Sequence, residues 1–234
     1  MKDYRIKLIE KIKRTDFVKS FRFSLNERLD FLPGQFLRII FDGENINNFE
    51  LNKFLSFSCA PGMNYIEVTK KISDSLFSKR LVSLQPGDEV LIKAPMGKSV
   101  FSGEQKSIAF LIGGIGITPA ISIIENIVKK ELDTDVALLY SNWTEKDIAF
   151  REELDEWNKL KNIQVFYKIN EGVSKENISL GFIEEKYVKS VIPDYKSRII
   201  YIYGPPVMVD IMDRLCNKIG CVKDKIIREM FIGY

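Results

Sequence analysis

The sequence predicts a two-domain chain, an N-terminal antiparallel β-barrel over residues 1–101 followed by an α/β domain with a parallel sheet over residues 102–234. Three observations predict it. Up to about residue 100 apolar and polar side chains alternate with the period of two expected of half-buried strands. From about residue 107 short apolar runs alternate with amphipathic stretches, the pattern of strand–helix–strand units. Two of those runs, moreover, end in Gly/Pro turns that open a helix, Gly113-Gly114-Ile115-Gly116-Ile117-Thr118-Pro119 and Tyr203-Gly204-Pro205-Pro206.

Each element of the first half has its own signal. Tyr4, Ile6 and Leu8 alternate with Arg5 and Lys7; Phe21, Phe23 and Leu25 alternate with Arg22 and Ser24; Ile66 and Val68 alternate with Glu67 and Thr69. Turns at Pro33-Gly34, Pro61-Gly62, Pro86-Gly87-Asp88 and Pro95-Met96-Gly97 separate the strands. Ser75 to Leu84 is the one helix expected here, with Leu76, Phe77, Leu81 and Leu84 sharing a face. Many short strands with one helix fit a small barrel.

In the second half, Ser107–Ile112, Val136–Tyr140, Ile163–Lys168 and Ile199–Tyr203 read as strands, with Lys225–Glu229 a weaker fifth. Thr118–Leu132 and Pro205–Ile219 read as helices, the second capped by Gly220. Ser102-Gly103-Glu104-Gln105 is the natural boundary. In a sheet wound in the usual way the strand order reverses between the first and fourth strands, so the two Gly/Pro turns face one crevice. There a glycine lets the backbone approach a pyrophosphate, and the helix beyond it offers free N–H groups. Neither turn is expected to need the other for folding, so their convergence favours a nucleotide.

Composition narrows the chemistry. At 234 residues and 45% hydrophobic, with a net charge of +3, the chain reads as an ordinary soluble protein with no nucleic-acid signature, no membrane span and no signal peptide. Cys59, Cys216 and Cys221 are too few for an iron–sulfur cluster or a zinc knuckle, so no metal is expected and a reducing cytoplasm fits. The absence of histidine removes Ser-His-Asp hydrolases, His-ligated metals and the commonest general base. An enzyme built this way leaves its chemistry to a bound cofactor, and hydride transfer suits that limit.

Six motifs in order resemble the ferredoxin–NADP reductase family over nearly the whole chain. They are Pro33-Gly34-Gln35-Phe36; Lys53-Phe54-Leu55-Ser56-Phe57-Ser58-Cys59, where that family has Arg-x-Tyr-Ser-x-x-Ser; Asp74-Ser75-Leu76-Phe77 running to Leu84-Gln85-Pro86-Gly87-Asp88; Gly114-Ile115-Gly116-Ile117-Thr118-Pro119; Gly204-Pro205-Pro206; and Glu229-Met230-Phe231. The resemblance implies a flavin-binding barrel joined to a nicotinamide-nucleotide domain, with FAD and NADH or NADPH as cofactors. It places Lys53, Phe54, Leu55, Ser56, Lys70 and Ser75 with the flavin. Gly114, Gly116, Thr118, Tyr203, Gly204 and Pro205 fall to the dinucleotide, and Phe231 or Tyr234 to a ring over the flavin. Ser56, near the flavin atom that receives the hydride, and Glu229, the carboxylate nearest the flavin, become the catalytic candidates. Three positions depart from the family: Lys53 for its Arg, Leu55 for its Tyr and Tyr203 for its Cys.

The ribose is read just after the second strand, at Ser141-Asn142-Trp143-Thr144-Glu145-Lys146-Asp147. The family's phosphate-reading arginine is missing, and Glu145 and Asp147 would repel a 2′-phosphate, which favours NADH. The implied activity is an FAD-dependent NAD(P)H reductase feeding a separate acceptor, either a redox protein such as ferredoxin or flavodoxin or a small molecule. Lys70, Lys71, Lys79 and Arg80 form a basic neighbourhood suited to an acidic partner. The alternative is a non-catalytic flavin- or nucleotide-binding electron-transfer or regulatory subunit. A dihydroorotate dehydrogenase electron-transfer subunit would need a C-terminal cysteine cluster that this chain lacks.

Overall fold

The structure, a computed structural model, describes residues 1–231. They form two compact units, Met1–Ser102 with Thr118–Lys129, and Gly103–Ile117 with the residues from Lys130 onward.

In the first unit β1 (Lys2–Lys13), β2 (Val18–Leu25), β3 (Phe36–Ile40), β4 (Asn52–Ser56), β5 (Ile66–Lys71) and β6 (Glu89–Met96) form one sheet in the order β4-β3-β6-β1-β2-β5. Every pairing in it is antiparallel. Just past β4 the chain meets the other edge strand, through a bridge between Phe57 and Val68 and a 2.8 Å hydrogen bond from the Ser58 N–H to the Glu67 carbonyl, so the sheet nearly closes into a barrel. The period-two pattern is why it closes. Tyr4, Ile6, Leu8, Phe21, Phe23, Val68 and Ile92 all point into one core, and burying each such side chain contributes roughly 1.5–3 kcal/mol. Glu67, 2% exposed, sits between Arg14 at 3.1 Å and Arg22 at 2.7 Å, with Ser20, Ser58 and Thr69 hydrogen-bonded beside it.

Helix α1 (Leu76–Ser83) starts at Ser75, whose hydroxyl accepts the Ser78 N–H at 3.2 Å. Phe77, Leu81 and Leu84 are buried as their spacing predicts, but Leu76 points outward. Helix α2 (Ile117–Lys129) lies almost wholly in this unit. Its Ser122 donates to the Cys59 carbonyl at 2.7 Å, and its Glu125 accepts the Ala60 N–H at 2.6 Å. Burial raises the Glu125 carboxyl above the ordinary glutamate range.

The second unit is a parallel sheet of β7 (Ser107–Gly113), β8 (Asp135–Asn142), β9 (Ile163–Ile169), β10 (Ile178–Leu180), β11 (Ile199–Gly204) and β12 (Ile226–Met230). Their order is β10-β9-β8-β7-β11-β12, so the winding reverses at β7 beside β11. Continuous apolar runs make β7, β8 and β11, the central strands, because a sheet flanked on both faces buries both sides of such strands. Helices α3 (Arg151–Trp157), α4 (Glu185–Val191) and α5 (Pro206–Ile219) complete it. Strand β10 has three residues and α3 and α4 seven each, too short to carry a periodic signal.

Candidate functional site

On the barrel, β4 presents the flavin-motif residues. Lys53 is half-buried, and Lys70 on β5 is 7% exposed with its ammonium donating to the Lys71 carbonyl at 2.9 Å. Burial, reinforced by Lys53 and Lys71 nearby, holds the Lys70 ammonium below the ordinary lysine range. Among the described residues neither Lys53 nor Lys70 has a carboxylate partner. Two neighbouring cations that repel each other and lack an anion fit a phosphate group. Ser75 is the N-cap of α1, its hydroxyl already engaged by the Ser78 N–H, so what it leaves for an anion is the helix start itself.

Ser56 ends β4 opposite Phe36; it is 4% exposed, and its hydroxyl has no hydrogen bond among the described residues. Leu55 packs against the barrel core, so its side chain serves the barrel's own packing. The exposed ring of this segment is Phe54, edge-on to Phe36 at 5.7 Å and under the Arg38 guanidinium at 5.1 Å.

In the second unit the two Gly/Pro turns are neighbours. Gly113 and Gly114–Gly116 follow β7, Gly204 ends β11, and these strands pair directly. A Cβ added at Gly116 would lie 2.6 Å from the Tyr203 carbonyl oxygen and 2.8 Å from the Gly204 Cα. One added at Gly204 would lie 3.3 Å from the Gly113 nitrogen. The turns are thus fitted to each other, which corrects the expectation that neither needs the other. Gly114, at φ +52° with open space where a side chain would go, is the glycine free to meet a ligand. Thr118 is buried in the first turn of α2.

Tyr203 is fully buried with its ring against Phe110 and Tyr201, which leaves its backbone as the part at the turn. Pro205 precedes α5 and accepts the Val209 N–H at 3.0 Å. On β12 Glu229 pairs in register with Tyr203 and is half-buried; burial pushes its carboxyl up to about 7. Two residues on, the Phe231 N–H donates to the Gly204 carbonyl at 2.9 Å, so this ring's backbone is held at the second turn. Tyr234 lies outside the described residues.

After β8 the charges are arranged differently from the sequence reading. Glu145 is paired with Lys175 at 2.6 Å and Arg151 at 3.6 Å. The Asp147 carboxylate accepts the Thr144 N–H and hydroxyl, at 2.9 and 2.7 Å, in a capping box. Both carboxylates are occupied within the protein, so the repulsion argued for a 2′-phosphate is weakened. The same strand ends hold Asn142, inside the segment expected to read the ribose, and Asn170, which no motif points to. Asn142 is 7% exposed, and among the described residues its amide nitrogen and the buried Asn170 side-chain oxygen have no hydrogen-bond partner. Asn170 also donates its N–H to the Trp143 carbonyl at 2.9 Å. Orphaned donors and acceptors at the C-terminal ends of parallel strands fit a polar ligand there. Asparagine after a strand reads as an ordinary turn residue, and only burial distinguishes these two.

A family model of an oxidoreductase NAD-binding domain matches residues 110–214. The chain is 29% identical over 233 residues to NADH-cytochrome b5 reductase 1 of Scheffersomyces stipitis, covering 95% of this chain and 81% of that protein. It is 31% identical to nitrate reductase [NADH] 2 of Arabidopsis thaliana over 87% of its length but spans only 25% of that protein. Among solved structures, the cytochrome b5 reductase domain of Ulva prolifera nitrate reductase aligns at a TM-score of 0.84 with 25% identity, over 97% of each chain. A ferredoxin NADP+ reductase from Neisseria gonorrhoeae, at 20% identity, shares the fold at a TM-score of 0.83, over 98% of this chain and 99% of that one. With its near-closed antiparallel barrel and its parallel sheet, the chain has the two-domain fold of the ferredoxin–NADP reductase-like proteins, and its second unit carries the oxidoreductase NAD-binding domain match.

Proposed function

We propose that this chain is an FAD-dependent NADH reductase that passes electrons to a separate redox protein. The observation that carries the reading is the pairing of Lys53 with Lys70 on the barrel, two neighbouring cations with no carboxylate among the described residues. The relatives support FAD and NADH as the cofactors. In the proposed division, residues 1–101 hold FAD and residues 102–234 the nicotinamide dinucleotide. Bound flavin supplies hydride acceptance from the nicotinamide and onward release of electrons, chemistry that no side chain of this chain offers.

The protein's own part is to bind, orient and manage protons. Lys53 and Lys70 hold the flavin phosphates by charge, with the α1 start behind Ser75 adding backbone N–H groups. Ser56 offers an uncommitted neutral hydroxyl, a preorganised donor that does not titrate. Gly114 gives the dinucleotide close access to backbone, and Asn142 and Asn170 offer it a donor and an acceptor. Glu229, with its carboxyl near 7, can hold or release a proton at working pH.

For the acceptor, the names of the relatives favour a cytochrome b5-type haem protein over ferredoxin or flavodoxin. Among the described residues no helix is long and apolar enough to cross a membrane. The test is a side-by-side assay of NADH-driven reduction of cytochrome b5, ferredoxin and flavodoxin by the FAD-loaded protein. Cytochrome b5 should be reduced fastest; faster reduction of ferredoxin or flavodoxin would reverse the acceptor assignment.

A further inference from the structure

The C-terminal end of α5 brings two of the three cysteines together. Gly220 takes φ +83°, the Cys221 N–H donates to the Cys216 carbonyl at 2.9 Å, and the Gly220 N–H donates to the Asn217 carbonyl at 3.2 Å. This reciprocal pair of bonds folds the residue after the glycine back over the last helical turn, and the two side chains it superposes usually make an apolar contact. Here they are Cys216 and Cys221. Both are free thiols, both pack in one apolar cluster, and they face each other within hydrogen-bonding range.

The pair is unequal. Cys216 is fully buried, whereas Cys221 is half-buried and open to solvent on one side. The Lys196 ammonium lies beside the turn, 3.7 Å from where a Gly220 Cβ would be, and it favours the Cys221 thiolate. Cys59 has no thiol partner; it is buried in the barrel, and its sulfur accepts the Glu67 N–H.

We propose that Cys216 and Cys221 are a reversible dithiol–disulfide pair, in which Cys221 meets a low-molecular-weight disulfide and Cys216 resolves the product. Cys221 releases its proton and its thiolate attacks one sulfur of the small disulfide. A mixed S–S bond forms, the original S–S bond breaks, and one thiolate leaves. Cys216 then gives up its proton and attacks the Cys221 Sγ, expelling the second thiolate. The protein pair loses two electrons, the small disulfide gains them, and the two released protons convert the leaving thiolates to thiols. Burial holds both protein thiols above the ordinary cysteine range, which makes the exchange slow. Their contact across a fixed helix cap lets the ring close without unfolding.

The test uses the full chain as purified, fully reduced, then incubated with oxidised glutathione, alkylated and mapped by mass spectrometry. The expected product is a peptide cross-linked between Cys216 and Cys221 and lighter by two hydrogens, with Cys59 alkylated only after denaturation. Cys216→Ala should stop with one glutathione on Cys221, and Cys221→Ala should leave Cys216 unmodified. Three results would overturn the proposal: glutathione that stays on Cys221 in the parent chain, modification of Cys216 in Cys221→Ala, or retention of all thiols by the folded chain under conditions that oxidise the denatured one. The parent-chain map decides the question even if Cys216→Ala does not fold.

Discussion

The missing side chain of Gly116 is fitted to the backbone of Tyr203: a Cβ there would lie 2.6 Å from the Tyr203 carbonyl oxygen. Backbone cannot yield the way the end of a flexible side chain can. Gly116 is therefore fixed by the packing of one turn on the other, whatever binds beside them. Gly114 differs, because only its positive φ asks for glycine.

Gly116→Ala should accordingly destabilise the fold by about 2–3 kcal/mol through forced displacement of the β11 turn. Gly114→Ala should cost about 1–2 kcal/mol of backbone strain. Urea unfolding of the two variants checks the ranking. If Gly116→Ala unfolds with the parent chain and loses only nicotinamide binding, the packing argument is wrong.

Glu229 gives a pH signature. Its folded carboxyl titrates near 7 against an ordinary 4.5, so between those values the native chain holds a proton that the unfolded chain has released. The group's contribution to stability is full below about 4.5, declines as pH rises to 7, and is level above. Glu229→Gln removes this penalty and should be more stable than the parent at pH 8, on the order of 1–3 kcal/mol, with a much smaller difference at pH 5. Equal stability gains at both pH values would mean that the effect is not ionisation.

Lys53→Ala should weaken FAD by about 1–3 kcal/mol through loss of a charge-assisted contact. Lys53→Arg should keep or tighten it, since a guanidinium offers a planar fork to phosphate. Flavin fluorescence titrations at two salt concentrations measure both. An affinity insensitive to Lys53→Ala would remove this lysine from the phosphate site.

Much of this was legible in the sequence, and the limits have physical causes. Alternation in β1 and β2 and continuous apolar runs in β7, β8 and β11 are set by how many faces of a strand are buried, so pattern and structure agree there. Strand β5 alternates in sequence yet is buried on both faces, because Glu67, Thr69 and Lys70 are packed inside with Ile66 and Val68. Seven-residue α3 and α4 are held by their neighbours and carry too few turns to show a period. At the site, motifs located the turns and the β4 segment but not the direction of each side chain. Leu55 turns to the core while Phe54 lies outside, and Tyr203 is a core ring. The pairing of Glu145 with Lys175 spans 30 residues, and no local pattern reports it.

Ser56→Ala should leave stability nearly unchanged, because its hydroxyl has no hydrogen-bond partner among the described residues. It should slow hydride transfer by roughly 10²-fold, the order seen when one preorganised donor is removed. Stopped-flow reduction at saturating NADH reads the step directly, and an unchanged rate would take Ser56 out of the mechanism.

The central claim, that this chain moves a hydride from nicotinamide to its own flavin, is tested most directly by adding NADH anaerobically to the FAD-loaded protein. The yellow absorbance should bleach within a turnover, with one NADH consumed per flavin. A flavin that stays oxidised while NADH persists would contradict it, and would leave a protein that binds the two nucleotides without joining them in a reaction.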